Sequence, residues 1–106
     1  CDWLEFLANK TIHGENFAAT MSLGSNGKIT RTCKTVDGKT FEYKEDGGHS
    51  FAITNVHKVF LPNGGTDYNN STITFVNPWD TSALVYTVSW TELRKLGIMG
   101  FECVTF

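Results

Sequence analysis

Proline is scarce in this 106-residue chain, cysteine falls short of a disulfide scaffold, and neither sign of charge prevails. There is no linker rich in Pro or Ser, no repeat and no low-complexity tract, so residues 1–106 read as a single domain. The three cysteines, Cys1, Cys33 and Cys103, are odd in number and lack C-x-x-C spacing. That pattern indicates neither a disulfide framework nor a zinc knuckle, and it leaves at least one thiol free. Nine Lys and Arg, scattered along the chain, stand against eleven Asp and Glu for a formal net charge of −2. Without a basic stripe, neither nucleic acid nor a membrane surface is an expected partner. No apolar run approaches the roughly 20 residues that cross a bilayer, and no basic segment leads into an apolar one at the start, so the chain reads as soluble. It opens on Cys rather than Met, which reads as processing or as a piece of a longer chain. Asp37 and Asp46 stand beside glycines and Asp67 follows a Gly pair. They read as turns, not as a calcium loop, so no metal and no cofactor is expected. "NKT" at 9–11 and "NNST" at 69–72 fit the glycosylation acceptor pattern, which leaves the compartment open.

What is present is a core. A hydrophobic fraction of 41% with eight Phe and three Trp is the composition of a folded chain. A body of this size buries roughly 60–65% of the surface of its unfolded chain, so its stability is expected to be ordinary or marginal. "DWLEFLANK" places Trp3, Leu4, Phe6 and Leu7 on a helical stripe ahead of the loop "TIHGEN". From Phe17 the period changes to two. "FAATMSL" and "KITRTCK" flank "GSNG", whose Asn26-Gly27 predicts a hairpin. "KTFEYK", then a long strand "SFAITNVHKVFL", the loop "PNGGTDYNN", and the strands "STITFVNP" and "ALVYTVS" follow. Ser89-Trp90-Thr91-Glu92 has the form of a capping box, predicting a one-to-two-turn helix over "WTELRKL" that stops at Gly97. "IMGFECVTF" returns to alternation and closes the sheet. The fold expected is α+β, mainly antiparallel β, a sheet or barrel with short helices at its ends.

One constellation carries chemistry. His49 follows two glycines at the mouth of a strand in which Phe51, Ile53 and Asn55 alternate with Ala52, Thr54 and Val56. Asn77 ends another strand, because Pro78 cannot continue a central ladder, and Trp79 stands two residues on. An Asn oxygen accepting from one imidazole N–H would fix the tautomer and aim the other nitrogen at a thiol, with an indole over that bond to exclude water. Taken alone, a histidine at a strand start is more often a satisfied core or surface residue. The Asn-Pro-Trp sets His49 apart, and His13 and His57 have no such companions. Trp3 and Trp90 read as core aromatics, and Cys33 and Cys103 as small buried hydrophobes.

"GGHSFAITNV" resembles the Gly-His-(Ala/Ser)-(Tyr/Phe)-Ala strand of the papain-like cysteine proteases, and "VNPWD" is similar to the Asn-Pro-Trp-Gly of their calpain branch. "YTVSWTELRKL" and "FECVTF" resemble the strand, short helix and last strand that follow there. The resemblance spans about residues 17–106 and implies the family's C-terminal, strand-rich lobe. It implies His49 as general base, Asn77 as its orienting partner and Trp79 as the shield; Asp80 stands where the family has glycine. The family's nucleophile lies in an N-terminal lobe, usually as Cys-Trp opening a helix more than a hundred residues before the histidine. Here only 48 residues precede His49, and Cys1 is followed by Asp2.

The expected activity is therefore peptide-bond cleavage by the His/Asn half of a thiol protease, joined to a Cys-bearing N-terminal lobe or partner chain in a heterodimer, with a protein or peptide as substrate. The alternatives are a non-catalytic module of the same fold that binds a peptide across a sheet edge, and a compact thiol hydrolase that uses Cys1. Three expectations follow: His49 within hydrogen-bond reach of Asn77 under Trp79, an apolar face around that pair, and Cys1 away from His49.

Overall fold

The computed structural model describes residues 2–23, 30–44, 49–76, 85–96 and 98–105. Helix α1, Asp2–Ile12, buries Leu4, Leu7 and Ala8, the i, i+3, i+4 stripe that periodicity requires. It continues through Thr11 and Ile12, residues expected in the following loop. It ends where Gly14 takes φ 68°, with Gly14 N–H donating to Thr11 O at 3.1 Å and Glu15 N–H to Lys10 O at 2.9 Å. These paired bonds are a Schellman cap, which requires the left-handed backbone that glycine adopts without strain.

The strands are β1 (Phe17–Leu23), β2 (Thr30–Lys34), β3 (Thr40–Lys44), β4 (His49–His57), β5 (Thr72–Val76), β6 (Val85–Ser89) and β7 (Ile98–Thr105). Five form one antiparallel sheet in the order β6-β5-β4-β1-β7, while β2 and β3 make a separate hairpin. The fold is thus α+β with mainly antiparallel strands. Of the sheet or barrel expected, the described residues form an open sheet with β6 and β7 at its edges. The hairpin laps over the β6 edge through Val36 N–H donating to Thr87 O at 2.9 Å and a Thr35–Val88 bridge.

The hairpin expected between β1 and β2 is replaced by long-range pairing. β1 is central, bonded to β4 on one side and β7 on the other, and β2 pairs with β3 instead. Asn26 and Gly27 lie outside the described residues. A turn signal fixes which residues reverse direction, whereas burial decides which strand is adjacent. β1 buries Ala19 and Met21, and those side chains are covered only in the middle of a sheet.

The inner face of the sheet holds the core. Phe51, Ile53, Val56, Ile73, Phe75 and Val88 are buried beneath α1 and the β2–β3 hairpin, whose Phe41 meets Phe51, Phe75 and Tyr86 at 4.7–5.6 Å between ring centroids. Strict alternation along β4 would put Val56 on the outer face. The pairing steps from Ile53–Phe75 to Asn55–Thr74, so Thr54 is the extra residue of a bulge, and Val56 returns to the core. At the opposite end from His49, α2 (Trp90–Leu93) and a 3-10 turn (Arg94–Leu96) close the core with Trp90, Leu93 and Leu96. Ser89 Oγ caps α2 by accepting from Glu92 N–H at 3.1 Å. The reciprocal half of the box differs from expectation: the Glu92 carboxylate accepts from Lys34 N–H at 2.8 Å and pairs with Lys95, which ties α2 to β2. The expected stop at Gly97 lies outside the described residues.

Candidate functional site

The end of the sheet where β4 begins is where the candidate residues converge in sequence. His49 is the first residue of β4, and its backbone stands opposite Leu23 of β1. On the other side β5 runs antiparallel to β4 and ends at Val76, opposite Ala52. The chain therefore starts β4 at His49 and leaves β5 at Val76, one residue before Asn77, at the same end of two hydrogen-bonded neighbours. Three of the four residues singled out from sequence, Cys1, Asn77 and Trp79, lie outside the described residues, and the description of His49 covers its backbone. The pair distance, the cover by Trp79, the apolar face and the place of Cys1 all rest on those residues.

Beneath this end the walls are described. Phe51 and Phe75, each two residues inward from the candidate pair, meet edge to face with ring centroids 5.7 Å apart, and Tyr86 stacks on Phe75 at the same separation. This aromatic packing joins β4, β5 and β6 just inside the strand ends.

The two described thiols are free, and neither resembles a nucleophile. Cys33 is buried in the core, and desolvation, with the Glu92 carboxylate adding and Lys95 opposing, pushes its thiol up to about 11. A thiol held neutral at physiological pH is inert. Cys103 is half-buried against the core rather than enclosed in it as expected, because β7 is an edge strand. His57 ends β4 and His13 follows α1, both exposed and at the far end from His49. Asp67 does make a turn, its carboxylate accepting from the Asn69 and Asn70 backbone and from Asn70 Nδ2. Asp37 likewise holds a turn through Thr35, with Gly38 at φ 87°; Asp46 lies outside the described residues. Among the described residues no group of three His, Cys, Asp or Glu side chains could hold a metal ion, and no helix is long and apolar enough to cross a membrane.

Two clusters had no sequence signal. Glu5 of α1 accepts from Lys58 Nζ at 2.6 Å and from Thr66 Oγ1 at 2.5 Å, joining the helix to the loop between β4 and β5. Burial works to raise the Glu5 carboxyl, but these two hydrogen bonds and the Lys58 charge outweigh it and bring it below the usual carboxylate range. The partners are 53 and 61 residues away, which no local pattern encodes. The second cluster is aromatic. Trp3 stacks on Phe101 at 5.2 Å and Phe6 meets the same ring at 6.4 Å, with Lys10 Nζ 4.8 Å from the Phe6 centroid. Phe6, part of the helical stripe, is 44% exposed because it sits at the rim of the sheet.

Compared with protein-family models, with curated proteins and with solved structures, the chain matches none.

Proposed function

We propose that this chain carries the His/Asn half of a papain-superfamily thiol peptidase site, with His49 as general base, Asn77 as its orienting partner and Trp79 as cover. The observation that carries this reading is the adjacency of β4 and β5, which brings the start of one and the end of the other to one end of the sheet. Positions 49 and 77 also share the parity of the buried Phe51 and Phe75. In this scheme His49 takes the proton of a cysteine thiol, and the thiolate attacks the peptide carbonyl to form a tetrahedral oxyanion. Collapse expels the amine, which leaves with the proton from His49. Water, deprotonated by His49, then hydrolyses the thioester and returns the thiol. Asn77 accepts a hydrogen bond from the second ring nitrogen throughout, and so holds one tautomer. The nucleophile comes from a Cys-bearing lobe or chain.

A second reading, the compact hydrolase that uses Cys1, rests on the start of α1 at Asp2: in this reading the thiol stands just ahead of a helix N-terminus, which lowers a thiol pKa.

One set of measurements tests both readings: cleavage of a fluorogenic peptide amide and alkylation by iodoacetamide at pH 6, on the chain alone and on the chain with any sequence encoded upstream of it. Activity abolished by His49→Ala and untouched by Cys1→Ser supports the two-lobe enzyme. Activity abolished by both, with the circular dichroism spectrum unchanged, supports the compact one. Cleavage that survives His49→Ala removes the peptidase reading.

A further inference from the structure

We infer that the outer edge of β7 is a docking site for an extended peptide in which apolar and basic residues alternate. The inference is independent of the peptidase reading, since it concerns the opposite side of the sheet from β5. β7 is eight residues long and pairs with β1 in unbroken antiparallel register from Phe17–Thr105 to Ser22–Gly100. Its other edge has no strand beside it among the described residues. Natural edge strands are blunted by lysine, by proline or by a bulge within the edge strand itself. The segment Ile98–Thr105 has no lysine and no proline; its bulge, where Met99 is the extra residue between the Leu23–Ile98 and Ser22–Gly100 pairs, lies at its start, and from Gly100 to Thr105 the pairing with β1 runs without a break. It thus presents a row of backbone donors and acceptors that a strand satisfies.

The two faces of this edge differ, and the difference specifies the occupant. On the inner face Phe101 is half-buried, and Trp3 and Phe6 of α1 form an aromatic ledge against it. A large apolar side chain of an incoming strand would pack against that ledge and cover Phe6. On the outer face Glu102 is exposed and makes no ion pair with a described residue, with Val104 beside it at 60% exposure. Directly opposite Glu102 a lysine or arginine is favoured. Lys10 covers the Phe6 ring on the inner face and is itself paired with Glu15 at 4.0 Å, so the acidic group left at this edge for a basic side chain is Glu102 on the outer face, and the apolar residues of the peptide turn inward.

The test uses the His49→Ala chain, so that catalysis plays no part. The probe is a blocked heptapeptide alternating valine and lysine, compared with its valine–glutamate counterpart. Amide hydrogen exchange is read residue by residue. The expected result is slowed exchange confined to alternate N–H groups of Ile98–Thr105 with the lysine peptide. Phe6→Ala should weaken binding about fivefold, and Glu102→Lys should shift the preference toward the glutamate peptide by about fivefold. Methylating the peptide nitrogens that face β7 should abolish the protection, while methylating the alternate ones should leave it. No protection of β7 at millimolar peptide, protection elsewhere, or a preference unmoved by Glu102→Lys would overturn the inference. So would protection of β7 that depends on protein concentration without peptide, because the occupant would then be a second copy of the chain.

Discussion

Phe51 and Phe75 meet at 77° across the boundary between β4 and β5, Phe51 two residues inside the start of β4 at His49 and Phe75 one residue inside the end of β5 at Val76. Phe75 is fully buried and also touches Phe41 and Tyr86, so one ring joins the hairpin to the sheet. On the proposed function, this packing would support the site, and a core substitution should be felt there.

Phe75→Ala leaves a cavity the size of a ring and should cost about 3–5 kcal/mol. A domain of this size holds about 5–15 kcal/mol in total, so that variant should lie close to its unfolding threshold. Phe75→Leu, which keeps much of the volume, should cost about 1 kcal/mol and fold normally. Urea midpoints with an unchanged slope would confirm a purely energetic effect. A Leu variant as unstable as the Ala variant would show that the edge-to-face geometry, not volume, holds this end together.

Ser89→Ala removes the side-chain acceptor of Glu92 N–H and should cost about 1 kcal/mol. Glu92→Ala should be the more informative change, because it removes the oxygen that accepts from Lys34 N–H and links β2 to α2. If Glu92 served only the capping box, its loss would loosen α2 alone. The tie to β2 predicts faster hydrogen exchange in Thr30–Lys34 as well, and exchange confined to residues 89–96 would contradict it.

The elements themselves were legible because local patterns encode them. The Leu4, Leu7, Ala8 stripe, the alternation of Phe17–Leu23 and the Ser89 cap each depend on residues within a few positions of one another. The neighbours of each strand were not. Asn26-Gly27 suggested that β1 would pair with β2, yet Ala19 and Met21 need cover on both sides, and that preference is expressed only against strands 30 and 80 residues distant. The bulge at Thr54 was equally hidden, although Val56 among exposed neighbours was its trace: one apolar residue out of step with the period. Of the candidate site, the strand that begins at His49 and the adjacency of β5 are described, and Phe6 and Glu5 show how partners remote in sequence escape a reading by periodicity.

Glu5 and Lys58 should be coupled. Their nitrogen–oxygen distance is 2.6 Å, and the side chains are 29% and 13% exposed, between the surface and buried regimes. A double-mutant cycle with Glu5→Gln and Lys58→Met should give a coupling energy on the order of 1–2 kcal/mol. Because Thr66 donates to the other oxygen of Glu5, Glu5→Ala, which keeps no acceptor, should also release the loop that precedes β5. A coupling near zero would mean that the pair only decorates a contact held by α1 packing.

The pH dependence of stability follows from four groups with opposite signs. Glu5, Glu92 and Asp37 titrate below their ordinary values when folded: Glu5 because hydrogen bonds from Lys58 and Thr66 outweigh its burial, Glu92 through Lys95 and Lys34 N–H, Asp37 through Thr35. The unfolded chain binds more protons than the folded one as these groups titrate, so their contribution is complete above the ordinary carboxylate pKa and is lost as pH falls through the folded values. Cys33 works the other way. Its thiol is raised from 9.0 to about 11 by burial, so the folded chain binds more protons between those values. Its contribution is complete below pH 9 and is lost as pH rises toward 11. Urea midpoints measured from pH 2 to pH 11 should therefore fall above pH 9 in the native chain as well as at the acid end. In Cys33→Ala, compared with its own value at pH 7, that part of the fall should vanish while the acid limb stays. If Cys33→Ala leaves the alkaline limb unchanged, the thiol is not sealed in the core, and Ellman's reagent should then reach Cys33 as quickly as it reaches Cys103 in the folded protein.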